Sequence, residues 1–561
     1  MKHSFHIPVM GTSYTIDSPA KVAHLGISSV ISLVDDDLIE RMRKVYSKKM
    51  GIQYQPIEEK EEDSRAKRIT AYLDLIHEVV EDRYSKMKKS LQENSQQAMN
   101  DLKELFPNTD TLKNFSKGSI DVNIMTKIDK ENFKGKVKLP SIFNDAHAAL
   151  RGFANSKLNS SLVLSAGMNP RLYAYFEEFK DFFPNEKGEL KKKIVVKVSD
   201  FRSAMIQGKF FAKKGLWVSE FRLESGLNCG GHAFATNGLL MGPILEEFKN
   251  KKDALVQELK EIYNKALISK NYNAQEEVDI AITAQGGIGT AEEHNFLIDH
   301  YKVDSVGWGS PFLLVDEAVT IDEDTKDKLA QATEKDLYLS DASPLGVPFN
   351  NLKNSSKKAE GRALYEKNRP GSPCTKKFLI SNKEYTEDLV CTASRKYQDF
   401  KFKDCDDISE ELACSIIEKE CLCQGLSKAA FIRYDENEKK DGTGVSVCPG
   451  PNMAYFNQKV SLKKMISHIY GKENVMNDQN RPNVFIKELS LYIQDIEKKY
   501  QTIKEDVSSR PAKKVKEYKE NLLKGIQYYE ELARNKKISF FNQRSFEKLN
   551  LFKAKLGTLK F

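Results

Sequence analysis

The sequence predicts an α/β protein: a TIM (β/α)8 barrel with a helical insertion after the second strand, a cysteine-rich module and a C-terminal helical region. Three observations predict the barrel. The first 315 residues hold eight short β-branched, apolar runs, helix-length spacers separate the runs, and glycine-rich loops follow the last two. Parallel strands joined by helical crossovers give this pattern, and eight such strands close a barrel.

The eight runs are taken as the barrel strands in chain order. Each is rich in residues that favour strands, and each is followed by a loop and a helical pattern. The runs are Phe5–Ile16, Ile27–Asp35, Ile120–Asp129, Ser161–Gly167, Lys193–Asp200, Leu216–Glu224, Val278–Gln285 and Val303–Val315.

Spacing and composition divide the chain further. Residues 36–119 are rich in Glu and Lys with helical periodicity, which predicts a helical hairpin inserted into the barrel domain, 1–315. Turns, glycines and cysteines dominate 316–460, which favours a small metal-stapled module, and 461–561 is Lys-rich and helical. The spacer Leu239–Asn271 predicts one long helix.

Composition limits the class of protein. Hydrophobic residues make up 40% and charged residues 30% of the 561, a soluble balance that disfavours disordered and membrane classes. Residues 1–18 show no signal pattern, and the apolar stretch 22–34 is too short to span a bilayer, so we expect a cytoplasmic protein without a membrane partner. The net charge of +8 comes from 88 basic and 80 acidic side chains, which favours a solvated mixed-charge surface over a nucleic-acid partner.

The strongest local motif spans 194–234. A strand ends at Lys197, a helix and a second strand follow, and the chain then reaches Gly230, Gly231 and His232. Glycines let a backbone pass close to a flat ligand, and a histidine at the carboxyl end of a barrel strand sits on the catalytic face. The motif therefore predicts a ligand site. The alternatives are a turn with a packed histidine and a lysine that is exposed or salt-bridged.

A second motif follows the last two runs. In β/α barrels these two loops, with a helix N-terminus, commonly bind phosphate through backbone N–H groups. Thr290 is placed to cap a helix that begins at Ala291. The candidate ligand-binding residues of the two loops are Gln285, Gly286, Gly287, Gly289, Gly307, Gly309 and Ser310.

Together these motifs resemble the nitronate monooxygenases, formerly called 2-nitropropane dioxygenases, and the related FMN-dependent enoyl-ACP reductases. The family's VVxKVS…GGH stretch is similar to 195–232, and its AxGGI…G and GAD…GT elements are similar to 284–289 and 303–310. The resemblance implies FMN at the open end of the barrel, with its phosphate near the glycines of both loops. It also implies that His232 is the catalytic base.

The chain departs from the family within the site. Asn228 and Cys229 precede the glycine pair where the family has Glu-Ala, and Ser310 replaces the family's threonine. His232 is predicted to take a proton from an acidic C–H or to donate one to a developing carbanion, according to its protonation state. Lys197 is predicted to stabilise negative charge on the reduced flavin.

Cysteines form the second group of candidate site residues. Seven of the eight lie between Cys374 and Cys448, and cytoplasmic thiols stay reduced, so metal or Fe–S binding is favoured over disulfides. A Cys-x-Cys turn brings two thiolates together, and Cys followed by Pro often ends an Fe–S ligand set. Three interpretations stay open: a 4Fe–4S cluster, a structural zinc ion, or no metal. Cys405 and Cys414, in an acidic stretch, are predicted to be ordinary thiols. The predicted ligands are Cys391, Cys421, Cys423 and Cys448, with Cys374 as the alternate.

Three functions are consistent with these motifs. The first is an FMN oxidoreductase of the nitronate monooxygenase type, acting on a small activated carbon acid. The second is a flavin-dependent reductase, with or without Fe–S, of a C=C bond such as an enoyl thioester. Its substrate is free or carrier-bound, and its electrons come from NAD(P)H or a donor protein. The third, of another class, is a barrel without catalysis that serves as an interaction or RNA-binding scaffold.

Overall fold

The computed structural model describes residues 3–93, 96–106, 115–126, 129–165, 167–231, 237–404, 408–438, 442–478, 480–503, 510–535 and 537–561. Its strands are β1 (Phe5–Ile7), β2 (Ser28–Ser32), β3 (Ile120–Ile124), β4 (Phe133–Lys134), β5 (Val137–Lys138), β6 (Ser160–Leu164), β7 (Lys192–Val198), β8 (Val218–Glu224), β9 (Ala281–Gln285), β10 (Ser305–Gly307), β11 (Leu337–Ser340) and β12 (Phe349–Leu352). β4 pairs with β5 and β11 with β12 as antiparallel hairpins, and the other strands form a closed parallel barrel in which β10 returns to β1.

Each of the eight predicted runs coincides with a barrel strand, although β6 and β7 begin one residue before their runs, so the predicted TIM barrel is confirmed. Each strand is shorter than its run. The last run contributes only Ser305–Gly307 to the barrel, because a 3-10 helix with Pro311 in its first turn follows at Ser310–Leu314. Proline has no N–H to give to a strand ladder, which also explains why β1 ends before Pro8.

Helices cover the barrel and form most of the remaining chain. The predicted insertion is present as three helices after β2, and the second of these packs against the first and against the helix before β6. None of the described helices is long and apolar enough to cross a membrane. The helices are α1 (Ser18–Val22), α2 (Asp36–Lys49), α3 (Ser64–Gln92), α4 (Gln96–Leu105), α5 (Asp145–Asn155), α6 (Pro170–Tyr175), α7 (Phe201–Ala212), α8 (Met241–Ser269), α9 (Ala291–Asp299), α10 (Glu323–Gln331), α11 (Ser356–Glu366), α12 (Arg395–Lys403), α13 (Glu410–Ile417), α14 (Leu422–Arg433), α15 (Leu462–Ile469), α16 (Val484–Ile503), α17 (Arg510–Arg534) and α18 (Gln543–Thr558).

One continuous apolar cluster joins the barrel to the C-terminal helices. It runs from Phe5 on β1 to Leu556 on α18, and α17 packs directly against α8. α16 buries Ile486, Leu489 and Ile496 on one face, as the spacing of its apolar residues predicts. The C-terminal region therefore packs on the barrel rather than standing apart from it, while the boundaries near 315 and 460 stay predictions.

Candidate functional site

A cavity of about 310 Å³ lies at the carboxyl ends of the barrel strands. Active sites of β/α barrels are built at this end. The ends of β1, β2, β3, β6, β7 and β8 form the floor of the cavity, and segments from the C-terminal half of the chain form its roof. Polar floor residues are Thr12, Ser32, Asp35, Asn123, Ser165, Lys197, Glu224 and Asn228.

Lys197, a predicted site residue, lies in this floor near the end of β7. Its Nζ is 3.2 Å from Oε1 of Glu224, which ends the neighbouring strand β8. The same carboxylate oxygen accepts hydrogen bonds from Gln285 Nε2 at 2.6 Å and from Asn228 Nδ2 at 2.9 Å. Three donors therefore fix Glu224, and Glu224 holds the ammonium group at the cavity floor.

Asn123 adds an unsatisfied acceptor to the floor. Its side chain is 6% exposed at the end of β3, and Oδ1 has no hydrogen-bond partner in the described structure. Most buried polar groups are paired, and an unpaired one costs about 1–3 kcal/mol. Asn123 therefore indicates a polar group of a ligand. No sequence motif pointed to Asn123, although its place near the end of a barrel strand was a signal that could have found it.

Gly230 and Gly231 form one rim of the cavity, with φ of +85° and +91°. A Cβ on Gly230 would lie 2.7 Å from Met10 Cα, whereas a Cβ on Gly231 would meet nothing within 4 Å. Glycine is thus required at position 230 because the loop after β1 passes close to it, whereas Gly231 leaves space open to the cavity. His232, the predicted catalytic base, follows Gly231 directly and lies outside the described residues.

The roof is apolar and comes from parts of the chain that no motif connected with the site. Their short apolar runs, set among turns and cysteines, carry no periodicity that predicts a position over the barrel mouth. An apolar roof above a polar floor suits a flat ligand with polar edges. The roof residues are Leu345, Val347, Phe349, Phe378, Leu379, Leu422, Cys423 and Leu426.

The predicted phosphate loops lie beside the cavity, where Gln285 donates to Glu224. Unlike Lys197, Gly230 and Gly231, none of their candidate residues is among those that line the cavity. The chain itself covers these loops, for example where Ser310 Oγ donates to Pro449 O at 2.6 Å. The residues concerned are Gln285, Gly286, Gly287, Gly289, Gly307, Gly309 and Ser310.

The cysteines do not assemble into the predicted metal site. Among the described residues, no group of three or more His, Cys, Asp or Glu side chains could hold a metal ion. Cys391 instead hydrogen-bonds the thiol of Cys374, and this bond lowers the pKa of Cys374 to about 7. Cys448 donates to Gly231 O at 3.1 Å, on the barrel loop. The predicted set Cys391, Cys421, Cys423 and Cys448, with Cys374 as the alternate, thus receives no support; Cys405 lies outside the described residues.

No protein-family model and no curated protein matches this chain. Solved structures do match. FabK from Thermotoga maritima has 13% identity and a TM-score of 0.37, over 89% of this chain and 96% of FabK. The enoyl reductase domain of MlnA from Bacillus amyloliquefaciens has 13% identity and a TM-score of 0.38, over 89% and 97%. Nitroalkane oxidase from Streptomyces ansochromogenes has 11% identity and a TM-score of 0.35, over 84% and 94%.

Proposed function

We propose that the chain is a flavin-dependent oxidoreductase that holds the flavin ring in the cavity at the barrel mouth. The observation that carries the proposal is the cavity of about 310 Å³, with the Lys197 cation and the unpaired Asn123 oxygen in its floor. Small-molecule sites span about 300–1,000 Å³ and place a few polar groups among apolar walls. The resemblance of residues 190–315 to FMN enzymes supports a flavin as the ligand.

The residues around the cavity fit a flavin ring. Asn123 Oδ1 is free to accept an N–H of the ring, Gly231 leaves room beside it, and the apolar roof matches its faces. When bound, a flavin supplies the hydride or electron-pair acceptor that redox chemistry needs. The chain's own contribution is to hold the Lys197 charge near the ring through Glu224 and to keep water out beneath the roof.

Proton transfer is proposed for His232. It follows Gly231, which lines the cavity, and an imidazole exchanges a proton near neutral pH. A neutral His232 takes the proton of an acidic C–H while the hydride or electron pair leaves the substrate. A protonated His232 donates to the carbanion that forms in a reduction.

A second candidate function is reduction of a C=C bond in an apolar substrate such as an enoyl thioester. The observation that favours it is the apolar roof, which suits an acyl chain better than a small polar carbon acid. In this reaction NAD(P)H is oxidised and supplies a hydride, and the double bond takes that hydride on one carbon and a proton on the other.

The test is flavin binding. The purified chain is incubated with FMN and desalted, and the visible bands of bound flavin are measured per protein. Wild type is expected to retain one flavin. Val347→Trp fills the roof and is expected to retain none, while the control Ile206→Trp, at a side chain 51% exposed on α7, retains it. A wild-type chain that stays colourless would refute the proposal and favour the scaffold function.

Substrate assays then separate the two candidates. Oxygen consumption with a nitronate supports the monooxygenase. Oxidation of NAD(P)H that depends on an enoyl thioester supports the reductase, and the loss of either activity in His232→Ala with flavin still bound supports the role of His232.

A further inference from the structure

In the loop between β9 and α9, the N–H of Gly289 is satisfied by the protein itself. Gly289 N–H donates to Glu293 Oε2 at 2.8 Å, and Glu293 lies in the first turn of α9 with 1% of its surface exposed. In barrels that bind phosphate here, N–H groups of this loop and the helix N-terminus face the anion. In this chain a carboxylate of the protein takes that position.

Arg481 neutralises this carboxylate and closes the loop from the other side. Its Nη1 donates to Glu293 Oε1 at 2.7 Å, its Nε donates to Asn452 Oδ1 at 2.7 Å, and its Nη2 donates to Gly287 O at 2.5 Å. The side chain is 3% exposed. Each of the three guanidinium nitrogens therefore donates to a protein acceptor, and the two N–H groups that take no part in these bonds belong to a side chain that the protein buries.

The glycines of the two loops also pack closely against other parts of the chain. A Cβ on Gly289 would lie 2.8 Å from Arg481 Cζ, and a Cβ on Gly309 would lie 2.9 Å from Cys229 Cβ. These glycines are required by contacts within the chain. Asn452 Nδ2 donates to Ile288 O at 2.9 Å and further covers the loop.

The charges of the cavity give a phosphate no better place. Among the described lining residues, Lys197 is the cation, and Glu224 and Asp35 are carboxylates. Lys197 is already paired with Glu224 at 3.2 Å. Asp35 is likewise paired with Lys376, so the charges around the cavity balance, and a phosphate dianion there would find no excess of positive charge and no N–H cradle.

We propose that this chain recognises its flavin by the ring alone, and that the phosphate of FMN contributes nothing to binding. The ligand class is then an unphosphorylated flavin, with riboflavin as its simplest member. This inference rests on the proposed function, because it concerns the ligand of the same cavity. The family resemblance implies, in contrast, that the two glycine loops bind the phosphate of FMN.

The test compares riboflavin with FMN on the full chain. Each ligand is titrated and its Kd is measured by quenching of flavin fluorescence, with inorganic phosphate added in a parallel titration. The expected result is a pair of Kd values within about threefold of each other and no effect of phosphate. A phosphate held by two or more charge-assisted hydrogen bonds would instead make FMN bind about 100-fold more tightly.

The outcomes separate the two proposals. Preference for FMN by about 100-fold, or competition by inorganic phosphate, overturns this inference and leaves the flavin site standing. Failure of both flavins to bind overturns the proposed function, and the inference with it. Lys197→Met serves as the cavity variant and is expected to raise the Kd of riboflavin and of FMN by the same factor. A weaker binding of FMN alone would show that Lys197 binds the phosphate.

Discussion

The buried pair of Glu293 and Arg481 predicts a large loss of stability when one partner is removed. In Arg481→Met the Glu293 carboxylate keeps the N–H groups of Gly289 and Val484 but loses the guanidinium at 2.7 Å. Both side chains are almost fully buried, with 1% and 3% exposed. Breaking a buried pair in this way costs about 3–5 kcal/mol, and methionine retains most of the apolar stem, so the loss reports the guanidinium through its charge and its hydrogen bonds to Asn452 and Gly287.

A double-mutant cycle isolates the interaction. Glu293→Gln combined with Arg481→Met leaves no unpaired charge, so the double variant is expected to recover about 2 kcal/mol or more relative to Arg481→Met. The free energy of unfolding is measured by urea denaturation followed by circular dichroism. Lys86→Met is the control, because it breaks an exposed pair with Asp82 and is expected to cost less than about 0.5 kcal/mol. A loss below about 1 kcal/mol in Arg481→Met, or no recovery in the double variant, would refute the reasoning.

Three further predictions follow from single side chains. Lys197→Met is expected to lower the two-electron potential of bound flavin by about 20–40 mV, equivalent to about 1–2 kcal/mol. Lys193→Met, at an exposed position of β7, is the control and is expected to leave the potential unchanged. Equal potentials in wild type and both variants would contradict the role of Lys197. The rate of alkylation of Cys374 is expected to be half-maximal near pH 7, and the midpoint is expected to rise in Cys391→Ala. The exposed Cys414 is the control. An unchanged midpoint in Cys391→Ala would contradict the pairing of the two thiols. Burial raises the pKa of Glu488 from 4.5 to about 8, so the folded state holds this proton more tightly and stability falls as pH rises between these values. The melting temperature of Glu488→Gln should therefore fall less than that of wild type over this pH range. Equal falls in the two proteins would count against the role of Glu488.

The barrel could be predicted because local pattern and fold agree. Eight β-branched runs carry the strands, and Thr290 caps α9 by accepting the N–H of Glu293 at 3.2 Å, as its sequence position indicates. Lys197 and the glycine pair before His232 line the cavity for the same reason, since they end a barrel strand or lie in the loop after one, while their roles stay predictions. Strand ends were placed less well, because prolines such as Pro311 stop pairing within apolar runs.

The roof and the covered loops could not be predicted because they depend on long-range packing. Arg481 and Glu293 are 188 residues apart, and neither belongs to a motif that indicates the other. The phosphate prediction for Gly287 and Gly289 used the loop alone, and glycine there serves a contact that the loop does not reveal. Cysteine spacing likewise does not determine which thiols meet; Cys374 lies next to Cys391, and the described part of the chain holds no group of side chains that could bind a metal ion.

The most direct test of the central claim is a crystal structure of the full chain with riboflavin bound. We expect electron density for the ring in the barrel-mouth cavity, in contact with Asn123, Lys197 and Gly231 and beneath Phe378. Density for a flavin at any other place, or a cavity without a ring at saturating riboflavin, would contradict the account.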